Sequence, residues 1–93
     1  MCEISVGDIV LSTKGRDKGN YFLVVDKQTN VVYLADGKFR SVTALKKKNV
    51  KHLKSVKIAV FIDIANQIKK GKPVGNKRLN QLIKSELKNK QED

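Results

Sequence analysis

Up to about residue 54 the chain alternates short apolar segments with turn signals, a period-two pattern that predicts β-strands. Gly7–Thr13 alternates polar and apolar residues and sets Ile9 and Leu11 on one side. Asn20–Lys27 and Asn30–Ala35 are rich in β-branched and aromatic residues. Asp36-Gly37 follows at once, the dipeptide of type I′ hairpins, whose central positions both need φ > 0. Lys38–Ala44 then reads as the returning strand and Val50–Lys54 as a short last one. Five short strands joined by tight turns predict a small barrel that closes to hide its edges.

Beyond residue 55 the period lengthens. Phe61, Ile64, Ala65 and Ile68 line one helical face, with Asp63 placed to cap a start just inside the run. Gly71-Lys72-Pro73-Val74-Gly75 breaks the chain, and Asn76 is an N-cap candidate for a second helix striped by Leu79, Leu82, Ile83 and Leu87. Segment 56–62 fits strand alternation as well as a helix approach. The expected architecture is mainly β: a five-stranded barrel over 1–55, then a basic extension over 56–93 with two short α-helices at about 61–70 and 76–90, both stripes packing inward and Gln91–Asp93 fraying.

At 93 residues only one modest core is available, burying about 60% of the unfolded surface, which excludes a large enzyme around an enclosed cofactor. Charge changes the picture more. Twenty Lys and Arg against nine Asp and Glu give +11, and the excess is uneven: residues 1–37 sum to −1, residues 38–93 to +12. Between 38 and 57 stand eight basic residues and no acid. Such an excess opposes compaction and implies an anionic partner, nucleic acid first. One cysteine, Cys2, permits no internal disulfide and argues for a reducing cytoplasm. No secretory signal is read at the N-terminus, and Ile58–Ile62 is too short to span a bilayer. One Cys and one His make no structural zinc site. A Cys2–His52 nucleophile–base pair lacks an oxyanion signature. No enzyme, metal or other cofactor is therefore expected.

The most specific local feature is Lys14-Gly15-Arg16-Asp17-Lys18-Gly19 between the first two strands. Its glycines permit positive φ and close approach, and Lys14, Arg16 and Lys18 with free amides suit a phosphate. The same residues suit an ordinary polar hairpin loop. With Gly7-Asp8-Ile9-Val10 before it and Phe22-Leu23-Val24-Val25 after it, the string resembles a KOW motif, although Phe22 stands where many such motifs carry a further glycine. Over residues 5–54 it is more similar to the divergent KOW branch of archaeal and eukaryotic large-subunit ribosomal proteins and their small bacterial relatives. That branch's Asp-Gly turn, following Arg, basic stretch and His-Leu match Asp36-Gly37, Arg40, Lys46-Lys47-Lys48 and Lys51-His52-Leu53.

The resemblance implies an SH3-like barrel and a ribosomal or ribosome-associated RNA-binding protein, with large-subunit rRNA as partner. RNA contacts are then expected from Lys14, Gly15, Arg16, Lys18 and Gly19 in the loop. Others are expected from Arg40, Lys46, Lys47, Lys48, Lys51 and His52, the last of which equally fits a packed structural role. Core packing is the expectation for the aromatics, including Phe39, and recognition is expected to run through phosphates rather than stacking. A second reading makes the barrel a transcription- or translation-coupled module that binds a protein. A third sets the basic helices on an anionic lipid surface, although they lack the Trp or Phe common in such helices.

Overall fold

The computed structural model describes residues 4–90, with side chains to Lys88; Cys2, and with it the Cys2–His52 pairing, and the Gln91–Asp93 tail lie outside the described residues. Five strands, β1 (Ile9–Ser12), β2 (Tyr21–Gln28), β3 (Val31–Ala35), β4 (Lys46–Asn49) and β5 (Leu53–Lys57), form one antiparallel sheet in the order β4-β3-β2-β1-β5. Helices α1 (Ile62–Lys69) and α2 (Asn76–Lys90) follow.

The apolar run of β2 explains its central place. Phe22 and Val24 point to one face and pack with Val10, Val32 and Leu34. Leu23 and Val25 point to the other and join Ile9 and Ala35 beneath Ala65, Ile68, Leu79 and Ile83 of the helices. A strand buried on both faces reads as continuous apolar sequence rather than alternation. The helices thus cover the outer face of the sheet through the two stripes expected to pack inward. Fully burying each side chain contributes roughly 1.5–3 kcal/mol.

The sheet is curled. Its register shifts between Val24 and Asp26 of β2 and between Ile9 and Val10 of β1, irregularities that bend a strand and raise its twist. The edge strands β4 and β5 are joined by a 3₁₀ turn of only three residues, Val50–His52. At about 2 Å rise per residue this draws the two edges to within roughly 10 Å there. Among the described residues β4 and β5 form no ladder with each other.

Four local expectations are corrected. The fourth strand is Lys46–Asn49, not Lys38–Ala44. Asp36-Gly37 is not a two-residue hairpin, because the Asp36 carboxylate accepts the N–H groups of Lys38, Phe39 and Arg40 and winds that segment into a loop. The last strand begins at Leu53 and runs to Lys57, since Val50–His52 is the 3₁₀ turn. Neither proposed cap operates as expected: Asp63 lies inside the first turn of α1, and the Asn76 side chain, at the start of α2, accepts from Val42 N–H and donates to Ser41 Oγ. Asn76 therefore ties the 38–45 loop to α2 instead of capping its own helix.

Candidate nucleic-acid interface

The β1–β2 loop is built around one inward carboxylate. Gly15 and Gly19 both take positive φ, 92° and 93°, as their place in the loop requires. Between them Asp17 turns in, accepting from Ser12 Oγ at 2.8 Å and Lys48 Nζ at 2.6 Å, while Lys46 Nζ stands 3.6 Å from its other oxygen. Lys48 Nζ also donates to the Lys14 carbonyl at 2.7 Å. Burial alone would raise the Asp17 carboxyl, but hydrogen bonds from Lys48 and Ser12 and the charges of Lys48 and Lys46 outweigh it and hold it below its ordinary value. With Asp17 drawn inward, the exposed side chains of the loop are Lys14, Arg16 and Lys18.

The second wall comes from the 36–40 turn. Asp36 N–H and Gly37 N–H both donate to the Arg40 carbonyl, and the Asp36 carboxylate clamps the three intervening amides at 2.8–2.9 Å. Between this turn and the β1–β2 loop runs a cleft of about 490 Å³, in which Arg16, Arg40 and Lys46 meet beside Asn20 and the ring of Phe39. Phe39 is 65% exposed, which corrects its expected core role; of the neighbours Tyr21 and Phe22, it is Phe22 that is buried.

The expected site residues therefore divide. Arg16, Arg40 and Lys46 share the cleft. Lys14, Lys18 and the two glycines belong to its loop. The lysine triplet is split by strand geometry, since successive side chains of a strand point to opposite faces. Lys46 and Lys48 face Asp17, whereas Lys47, paired in register with Tyr33, is exposed on the other side. Lys48 is corrected outright as a phosphate contact: its side chain is 8% exposed and its ammonium is spent on Asp17 and a carbonyl. Lys51 is exposed and His52 half-buried in the 3₁₀ turn, where the His52 carbonyl accepts Thr13 N–H; neither lines the cleft. Asn20 and Phe39 were not among the expected site residues. The mixed polar and aromatic start of β2 carries no signal for Asn20, and Phe39 sits in a segment whose alternation suggests a strand.

Six acidic residues fall among the described ones, and all but the exposed Asp63 are buried or paired. Asp8 is fully buried, accepting from Ser5 and Ala59 N–H; Asp36 is buried in its turn. Asp26 and Glu86 pair with Lys69 and Lys57. Asp17 is the one carboxylate that lines the cleft, where it is paired with Lys48 and Lys46, and Arg16 and Arg40 are the cleft cations without an ion-pair partner among the described residues. Comparison of the chain with protein-family models and with curated proteins finds no match.

Proposed function

We propose that the protein is a non-enzymatic RNA-binding protein of KOW type, its curled sheet an SH3-like barrel, acting at the ribosome in the cytoplasm with large-subunit rRNA as its partner. The observation that supports this most directly is the cleft where Arg16, Arg40 and Lys46 converge and where the one lining acid, Asp17, is held by Lys48 and Lys46. The two arginines at this groove neutralise backbone phosphates and release condensed counterions. The resemblance of residues 5–54 to the ribosomal KOW branch is the reason for proposing large-subunit rRNA. A salt titration of binding to large-subunit rRNA fragments tests the reading. Arg16→Gln with Arg40→Gln should flatten the slope of log affinity against log salt by about 1.4–1.8 units, at roughly 0.7–0.9 per phosphate contact. An unchanged slope would remove the cleft from the RNA contact.

A second reading, a protein-binding module, draws on a different surface. Ile58, in the segment joining β5 to α1, and Ile62, the first residue of α1, are 74% and 44% exposed. That patch suits an apolar partner. Release of the protein from its cellular complex by RNase separates the two readings, since a complex held through Ile58 and Ile62 survives the treatment.

A further inference from the structure

Phe39 stands between two grooves. On one side is the cleft holding Arg16, Arg40 and Lys46; on the other is a smaller groove of about 160 Å³ that Lys38 and Lys84 of α2 help to line. Both grooves are bounded by Asn20 and by the Phe39 ring itself. An exposed aromatic needs no explanation when it is isolated and loosely held. This one is neither. Its own N–H and those of its two neighbours are bound by the single carboxylate oxygen Asp36 Oδ1, so the backbone beneath the ring is fixed. The turn that carries it is in turn fastened to α2, since Asn80 Nδ2 donates to the Asp36 carbonyl at 3.1 Å. Lys38 Nζ lies 5.1 Å from the ring centroid, so one face of the ring already meets a cation.

We infer that Phe39 is a stacking platform for an unpaired nucleobase, with the sugar-phosphate backbone on either side of that base running into the two basic grooves. The inference deepens the RNA-binding reading and rests on it. A paired base in a duplex keeps its π-faces inside the stack, out of reach of a side chain, so a ring presented in this way selects single-stranded loops, bulges or ends. Cations on both sides of the ring match a strand that enters and leaves past the stacked base, whereas a lone apolar anchor for a protein would not need them. Stacking of one base is worth about 5- to 150-fold in affinity by alanine substitution.

The test uses the full chain, a single-stranded oligoribonucleotide carrying 2-aminopurine at successive positions, and a blunt RNA duplex of equal length. The expected result is quenching of 2-aminopurine at one position, and a loss of about 5- to 150-fold for the single strand in Phe39→Ala with the duplex affinity and the salt slope unchanged. Phe39→Trp should retain binding, because an aromatic face remains, while Phe39→Leu should behave as the alanine variant. Equal loss on both RNAs, loss on neither, or full binding by Phe39→Leu overturns the stacking role. If the single strand fails to bind while the duplex binds with the expected salt slope, the stacking inference fails and the phosphate reading stands. If neither RNA binds, both fail. An exposed ring keeps Phe39→Ala foldable, and its melting temperature, expected within a few degrees of the parent, verifies that any loss is not unfolding.

Discussion

Two adjacent residues, Lys47 and Lys48, carry the same side chain to opposite fates. Lys47 is exposed, so replacing it by Gln should change stability by less than about 0.5 kcal/mol. Lys48 is buried, its ammonium held by Asp17 and the Lys14 carbonyl. Removing one partner of a buried ion pair leaves an uncompensated charge and costs roughly 3–5 kcal/mol. Lys46 still attends Asp17 at 3.6 Å, so Lys48→Met belongs at the low end, about 3 kcal/mol, or a drop in Tm of more than about 10 °C for a domain of this size. The carboxyl gives the same cluster a pH signature. Asp17 titrates below its ordinary value of 3.8 in the folded protein, so its contribution is fully present above that value and is lost as pH falls through the lower folded one. Stability of the parent should therefore fall on acidification below about pH 4, and Lys48→Met, with the carboxyl less favoured in its charged form, should show a shallower decline. Thermal melts of the parent and both variants from neutral pH down to about pH 2 measure both effects. Equal Tm values for the two variants at neutral pH would show that the buried contact contributes nothing.

At the scale of elements, the 36–45 loop and the start of α2 are one assembly. Gly37 takes φ +77°, and a Cβ there would run into the Asn76 carbonyl at the first residue of α2. Gly71 takes a nearly identical φ of +79° with nothing within 4 Å of its would-be Cβ. Comparing the two separates conformation from contact. Gly71→Ala should cost about 1–2 kcal/mol for the left-handed backbone alone. Gly37→Ala should cost clearly more, about 3 kcal/mol or above, because α2 must also move off the turn; chemical denaturation of both variants checks it, and equal costs would mean the contact is readily relaxed. This assembly also shows what the sequence conveyed of the fold and what it could not. β1, β2, β3 and both helices were legible to within a few residues, because apolar periodicity records which faces are buried. The fourth strand was misplaced by several residues. Asp-Gly before an alternating segment is a local hairpin signal, and it was overridden by a carboxylate that grips three amides and by a helix docking from about forty residues downstream. The site was legible as a set of basic residues. Its geometry was not: splitting Lys46 and Lys48 from Lys47 requires knowing that the triplet is a strand, and the exposure of Phe39 depends on the loop that replaced the expected one.

Across the whole molecule, folding sorts charge by sign. Acids are drawn inward or paired at Asp8, Asp17, Asp26, Asp36 and Glu86, while a net +11 must be accommodated on a body of 34 × 32 × 23 Å. At about 0.01 M ionic strength the Debye length is ~30 Å, so nearly every cation feels every other; at 0.1 M it is ~10 Å, and only neighbours interact. Self-repulsion of the compact state is therefore strongest in dilute salt and fades as salt is added. The buried Asp17–Lys48 pair is little affected, because solvent ions do not reach it. Raising sodium chloride from about 0.01 to 0.3 M should accordingly raise the Tm of the free protein by several degrees, on the order of 1 kcal/mol. Chloride is the appropriate anion, because sulfate also strengthens apolar burial and would confuse the two effects. The same addition should weaken RNA binding, since released counterions then return to a richer solution. In the presence of excess RNA the trend should reverse: a bound polyanion stabilises the folded state most where it binds most tightly, in dilute salt. Melting curves across the salt series, with and without RNA, should therefore converge as salt rises. A Tm of the free protein that falls with added chloride would show that attractive surface ion pairs outweigh the repulsion, and would remove the charge excess as a reason to expect an anionic partner.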